Sequence, residues 1–521
     1  MSRPSPPSPA SPAPPAPSPS APPAPGGGGG RGTSSGRDAS SARGTPSEAE
    51  PVGRGVILLL LLLVCLPSVA ASAAPAPTPG PPRDDCVLRI ASGADVSGGA
   101  RERALEAVWN GVAGNPRACF VTISAVADEQ RSAMISAAQS KSGHYDVYNL
   151  DIQWIPEFAE GGYLRPVDTA AHGGTNDFLS QIWSAGAWKG VQYAVPFNTD
   201  VGLLYHRGDL RTPKNWQDMT GIAKERRAGP DPTALGLAGQ FASYEGLTVN
   251  ALEAIWANGG DVVDANGKVV ITEKRAVEAV GRLIETVRAG VISGESLGST
   301  EAESLTAFRE RHALFLRHWP YAHEVLSGER KSGGVAFRAT ALPWQGVLGG
   351  QYLAVSRHTV RRDLAQRLVA ALTGGEAARL LYRCGGFAPA RVSALYAEAE
   401  PGCDGPSPGA ASPGPTSDSG TGPVFRTGSD SGTGSASSSA SPASGGAEPE
   451  SENVRPDTLL RALTQARARP SSPYYSQFSR VFRTEVHELL GCWSLGRKGC
   501  RDARTFTAGL APKLRKALAG G

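Results

Sequence analysis

Two cysteines open two strand-like runs: CVLRIAS begins at Cys86 and CFVTISAV at Cys119, with the helical stretch ARERALEAVWNGV between them. Strand, helix, strand in that order is a βαβ unit, whose crossover brings the second strand back parallel to the first and beside it. Adjacent parallel strands lie about 5 Å apart, which suits a disulfide between their matched starts. A Cys86–Cys119 bond would stabilise the fold by about 3–4 kcal/mol in the chain-entropy picture. The pair therefore commits the start of the folded chain to an α/β sheet. Cys384 with Cys403 and Cys492 with Cys500 form two further sequence-near pairs. No C-x-x-C occurs and the eight His are scattered, so no metal site is expected.

Disulfides require an oxidising compartment, and the sequence carries a means of reaching one. Residues 56–64, VILLLLLLV, follow Arg54 and precede Ala71-Ser72-Ala73, an A-x-A-type cleavage site. The run is short for a membrane span and fits the apolar region of an export signal. Residues 54–73 are thus read as an export signal, or as a signal anchor if uncleaved. Its position leaves two readings open: a long extension, or translation beginning nearer Val52 or Val56. Cys65 adds a lipoprotein reading, although Val64 stands where such signals take a small residue. An extracellular chain, released or membrane-anchored, is the expectation.

Two stretches lack the apolar side chains that offset chain entropy and are predicted to be disordered: the Pro/Gly/Ser-rich leader 1–53 and the segment 404–452. What remains is long enough for two α/β domains. Net charge is +4 without a basic stripe, and KERR at 224–227 reads as a solvated helix face, so nucleic acid is not an expected partner.

The alternation continues along the chain. EQRSAMISAAQSKSG reads as a helix, YDVYNL as a third parallel strand and IPEFAEGG as a short helix ended by glycine. NDFLSQIWSAGAWKG is amphipathic, and VQYAVPFNTDVGLLYHRGDL gives two apolar strands interrupted by a polar elbow, PFNTD. VVDANGKVVIT is a hairpin on an Asn-Gly turn. TEKRAVEAVGRLIETVRAG is a long helix, HALFLRHWPYAHEV a buried strand running into a helix, and DTLLRALTQARARP and YYSQFSRVFRTEVHELLG are helical. Such alternation argues for parallel-sheet α/β lobes.

The segments YDVYNLDIQWIPEFAEGGYLRPVD, AVPFNTDVGLLYHRGDL, PKNWQDM, EGLTVNALEAIWANGGD, FLRHWPYAHEVL and VLGGQYLAVS occur in that order. On an exported α/β chain they resemble the extracellular solute-binding proteins of ABC importers, in the carbohydrate-binding branch related to maltose and trehalose receptors. The resemblance covers nearly everything outside the leader and the 404–452 segment. It implies a two-lobed periplasmic-binding-protein-like α/β fold, with the ligand in the cleft and a three-segment hinge. The first lobe would hold 86–197 and 352–386, and the second 198–351, 387–403 and 453–521. Segment 404–452 would be an insertion in the second lobe, where a flexible loop costs little folding free energy. Closure on ligand would be absorbed by hinge residues. The resemblance further implies a monomer without cofactor, not an enzyme, that passes a sugar to membrane permease subunits.

Sugars present hydroxyls at the ring edge and weakly polar C–H faces, so a receptor needs carboxylates and amides for the edge and flat aromatics for the face. The resemblance places LDIQW in the cleft at the carboxyl end of a first-lobe strand. Asp151 would accept from sugar hydroxyls and Trp154 would stack or wall the pocket; helix capping and core packing are their structural alternatives. Trp319, in RHWPYAHEV, matches a sugar-stacking Trp of related receptors, and Tyr321 a companion hydroxyl donor. His318 stands where the family usually carries Asn, which would introduce pH sensitivity. Gly349, Gly350 and Gln351 lie where the family brings backbone close to ligand, an approach that glycine permits. Asn250 matches a polar ligand contact, with a surface amide as its alternative. Asp95 is either a contact after the first strand or a helix cap. Asn198 and Asp200, at the first crossover, are expected as hinge residues.

Two other function classes fit parts of the sequence. A secreted glycoside hydrolase would need two carboxyl groups flanking the scissile bond, roughly 5–10 Å apart, and no clear pair, G-x-S-x-G or P-loop is present. A sensor or scaffold ectodomain derived from a solute-binding module would accommodate the leader and the inserted segment.

Overall fold

In a computed structural model of the chain, residues 85–172, 174–310, 312–330, 334–397, 403 and 454–521 are described. The leader, the export segment 54–73 and the 404–452 insertion lie outside the described residues. All described residues fall in one compact unit, Pro77–Gly521.

The opening βαβ unit forms. β1 (Leu88–Ser92) and β2 (Ala118–Thr122) pair in parallel, and Cys86 is bonded to Cys119 with Cα atoms 5.8 Å apart. The intervening helix Ala100–Leu105 widens into a π-helical turn, Glu106–Asn110, that buries Trp109. β3 (Val147–Asp151) pairs with the other edge of β1. The amphipathic stretch at 176–190 is not one helix. A short helix, Ser180–Ser184, gives way to a hairpin of β4 (Ala187–Trp188) and β5 (Val191–Gln192). Lys189 (φ 49°) and Gly190 (φ 79°) form its two-residue turn. Left-handed backbone at both positions matches the twist of a tight hairpin.

Seven further strands complete the sheets: β6 (Ala194–Val201), β7 (Leu203–Arg207), β8 (Leu235–Ala238), β9 (Ala313–His318), β10 (Phe337–Ala341), β11 (Leu348–Val355) and β12 (Ala388–Pro389). One sheet has the order β12-β6-β11-β3-β1-β2 and the other β10-β7-β9-β8. Neither is wholly parallel. Only β1 with β2 and β3, and β8 with β9, pair that way, while β11 is antiparallel to both β3 and β6. β7 and β11 run against their neighbours because each enters its sheet from a passage between the two sheets, at the opposite end.

Those passages lie a few residues from their expected positions. PFNTD is not an elbow, because residues 196–200 are inside β6; the chain leaves that sheet at Gly202. A Cβ there would meet Glu253 Oε1 at 2.7 Å and Arg317 Nη2 at 2.8 Å, so the crossing needs glycine. It returns between Ala341 and Leu348. A third passage at 387 is not seen there: β12 still pairs with β6, and helix Val392–Leu395 packs on helix Gly375–Gly385. Residues 387–395 therefore stay with the six-stranded sheet.

Helix Lys274–Arg288 shows why the second lobe holds together. Ala276, Ala279, Val280, Leu283, Ile284 and Val287 recur at helical spacing and are buried. They pack against helix Glu245–Ala257 and the C-terminal helices Tyr475–Ser494 and Ala503–Leu518. Burial of each large side chain contributes about 1.5–3 kcal/mol. Cys492–Cys500 links the last two helices at their junction, with Cα atoms 5.7 Å apart, and Cys384–Cys403 ties residue 403 to helix Gly375–Gly385 at 5.3 Å.

Candidate functional site

A cavity of about 560 Å³ is lined by the strand ends of the six-stranded sheet on one side and by loops and helix starts of the other lobe facing it. The strand register explains the first wall. Asp151 stands opposite Gln351, Gln351 opposite Asn198, and Gly349 opposite Asp200, so three strands deliver their polar residues in adjacent rows. Gly350 has φ 129°, and a Cβ there would lie 2.6 Å from the Asn198 carbonyl oxygen. The backbone can approach that closely only as glycine.

The opposite wall carries the rings. Trp319 and Tyr321 follow the end of β9, and both line the cavity. The Arg317 guanidinium lies 3.9 Å from the Trp319 ring centroid and is held by two bonds to Glu253, at 2.8 and 2.7 Å. One face of the indole is thereby covered by a fixed cation. Trp319 Nε1 donates to Glu301 Oε1 at 3.4 Å, and Tyr244 donates to Glu301 Oε2 at 2.6 Å. Tyr321 stacks on Phe387, and burial raises its hydroxyl's pKa, helped by the Glu301 charge. It stays a neutral hydroxyl.

Asp151 caps the turn Ile152–Trp154 by accepting from the Gln153 N–H at 2.9 Å, and it also pairs with Arg469 at 3.1 Å. Trp154 lines the cavity but is only 7% exposed and belongs to the core beneath it. Each does the structural job and borders the cleft as well. Asp95 also lines the cavity, and its carboxylate is engaged by the Ser97 N–H and hydroxyl and the Gly99 N–H as the chain turns into helix Ala100–Leu105. Gly349, Gly350 and Gln351 line the cavity too.

Three expectations need correcting. Asn250 does not line the cavity. It lies on helix Glu245–Ala257, whose residues Gly246 to Trp256 are all buried, and its amide donates to Gln240 and to the Gly246 carbonyl. Asn198 and Asp200 are not hinge positions at a chain break; both sit inside β6 and line the cavity. His318 is fully buried outside the cavity lining, and burial takes its pKa down to about 4, so it stays neutral near pH 7.

Sequence reasoning missed Arg469, Glu245 and Glu301. Arg469 is 4% exposed, donates to Glu245 at 2.6 Å as well as to Asp151, and lies between two C-terminal helices in no recognisable motif. Burial pulls its pKa down, but the two carboxylates outweigh that and raise it. Glu245 and Glu301 each begin a helix, where negative charge is ordinarily read as a terminus signal.

Several buried polar atoms of lining residues have no partner among the described residues: Asn198 Nδ2, Asn149 Oδ1, Asp200 Oδ1, Arg101 Nε and Arg469 Nε. Asn198 is 2% exposed and Asn149 7%. Burial pushes Asp200 up to about 8, against the lowering effect of Arg317, and the nearby Asp151 and Glu301 charges add to the rise. Unsatisfied polar groups at these depths are costly in a plain core. Here they border the cavity instead. Among the described residues no cluster of His, Cys, Asp and Glu could hold a metal, and no helix is long and apolar enough to cross a membrane.

The chain matches the family described as bacterial extracellular solute-binding protein over residues 121–379. It is 29% identical over 264 residues to a probable ABC transporter-binding protein of Deinococcus radiodurans, a match covering 46% of this chain and 60% of that protein. Its fold resembles maltose-bound T. maritima MalE3, with a TM-score of 0.65 and 21% identity over 83% of this chain and 99% of that one. It also resembles the GacH receptor of Streptomyces glaucescens, with a TM-score of 0.62 and 16% identity over 83% and 98%. The matched span resembles that family, and the solved structures share the fold.

Proposed function

We propose that this chain is the extracytoplasmic receptor of an ABC importer, which captures a sugar or oligosaccharide between its lobes and hands it to permease subunits. One observation carries the reading: a cavity of about 560 Å³ that combines exposed aromatic faces with buried polar atoms left without partners. That pairing matches what a sugar offers, apolar C–H faces and a ring of hydroxyls. In this reading Trp319 stacks on the ring, Tyr321 donates to it, and Asn198, Asn149 and Asp151 meet hydroxyls. Gly349 and Gly350 bring backbone into contact. Export supports the same reading, since three disulfides join described residues and disulfides persist outside the cytoplasm.

Thermal-shift measurements against a panel of mono- and oligosaccharides test the proposal. At least one saccharide is expected to raise the melting temperature of the purified chain, and Trp319→Ala is expected to abolish that shift while the circular dichroism spectrum is kept. Release of reducing sugar from an oligosaccharide by the purified protein would overturn the reading in favour of a hydrolase.

A further inference from the structure

We propose that the ligand carries a protonated amine, so that the saccharide this cleft takes is an amino sugar or a chain containing one; the inference rests on the saccharide reading above. The charges around the cavity do not balance. Asp95, Asp151, Glu245 and Glu301 line it, with Asp200 held largely protonated near pH 7 by burial, against two guanidiniums, Arg101 and Arg469. Both are hydrogen-bonded, although each keeps a buried Nε without a partner among the described residues. Arg469 is already shared between Asp151 and Glu245, and Arg101 is turned to Ser92 Oγ and the Gly93 carbonyl. Arg317, behind the indole, is taken up by the two oxygens of Glu253.

Glu301 is thus left without an ion pair, and Asp200 without a donor to Oδ1, among the described residues. Glu301 has only the neutral donors Tyr244 and Trp319. Asp200 has Oδ1 buried and without any donor, although Asn198, two residues earlier on the same strand, also keeps a buried amide nitrogen free. Both residues lie close to the indole: Trp319 bonds to the Glu301 carboxylate, and a Cβ at Gly349 would lie 3.2 Å from the Asp200 Cβ and 3.5 Å from the Trp319 ring.

A neutral sugar would offer hydroxyls to these oxygens but would leave the excess charge in place. An ammonium on a ring stacked at Trp319 would supply both the donors and the missing positive charge, and charge-assisted bonds of this kind are about twice as strong as neutral ones. The absence of any cluster of metal-binding side chains among the described residues argues against a metal ion as the counter-charge. A linear polyamine shares the ammonium but lacks a ring face for the indole, which favours the sugar.

Calorimetric titration of the purified chain with four probes tests the proposal: glucosamine oligosaccharides, their N-acetylated forms, neutral gluco-oligosaccharides of equal length, and spermidine. The amino form is expected to bind at least about tenfold more tightly than either neutral form. That preference should shrink several-fold in Asp200→Asn and, as a second variant, in Glu301→Gln, each checked for folding by circular dichroism. Equal or tighter binding of the neutral or N-acetylated sugars would overturn the amine but leave the saccharide reading standing. Binding of spermidine alone would overturn the saccharide reading itself.

Discussion

The two rims of the cleft hold similar residues in opposite states. At the C-terminal rim, Arg469 joins Asp151 to Glu245, Tyr475 and Ser479 also donate to Glu245, and Arg483 reaches Asp128 at 2.6 Å. Every carboxylate of this rim has a charged or hydrogen-bonding partner. At the Trp319 rim, among the described residues, Asp200 keeps a buried oxygen without a donor and Glu301 has no ion pair. The first arrangement is what a structural ion-pair network looks like. The second is costly in the empty protein, and in the proposed reading a bound ligand supplies the missing partner. Acidic residues near a cavity therefore need to be sorted by what already satisfies them.

Breaking the saturated rim should have the largest effect on stability. Arg469→Met removes the shared cation from two carboxylates, and loss of one partner from a buried pair costs about 3–5 kcal/mol. Urea unfolding should show that drop; a loss under 1 kcal/mol would mean that the rim is not a structural network. The unsatisfied rim should respond with the opposite sign. Asp200 ionises at about 8 in the fold and at about 3.9 when unfolded. Between those values the unfolded chain holds fewer protons, so stability falls as pH rises and levels off above about 8. Asp200→Asn should remove that decline and stabilise the ligand-free protein at pH 7, by up to about 4 kcal/mol, as melts at pH 5, 7 and 8.5 would show. A variant that melts lower than the parent at pH 7 would place Asp200 with the structural carboxylates. The smallest effect belongs to the Arg483–Asp128 pair, whose Asp128 side chain is 47% exposed. Arg483→Ala should cost less than about 1 kcal/mol. Because the pair spans the lobes, the variant should still enlarge the ligand-free radius of gyration in small-angle scattering.

Local signals in the sequence were reliable where one short segment determined the outcome. The Cys86 and Cys119 strand starts, the position of Asp151 and Trp154 at the end of β3, and the exit of Trp319 and Tyr321 from β9 could each be read from a dozen residues. Asn250 could not, because the helix carrying it is buried on every side, so its periodicity does not tell which face meets the cleft. Arg469 was equally hidden. Its partners, Asp151 and Glu245, are 318 and 224 residues away in the chain, and no local pattern encodes a pair at that distance. The sequence puts Asp200 at the first crossover as a hinge residue, since the break at Gly202 depends on Glu253 and Arg317 filling the space a side chain would need.

Trp319 also gives the cleft an optical consequence. Indole emission shifts with the electric field across the ring, and here that field is set by two fixed charges, Arg317 at its face and Glu301 at its N–H. Trp109, Trp216 and Trp256 are each 8% exposed or less and lie in core clusters, so their emission should change little when the cleft fills. A molecule entering beside the indole changes the field at the ring, and the protein reports its own occupancy as a change of colour, without any added dye.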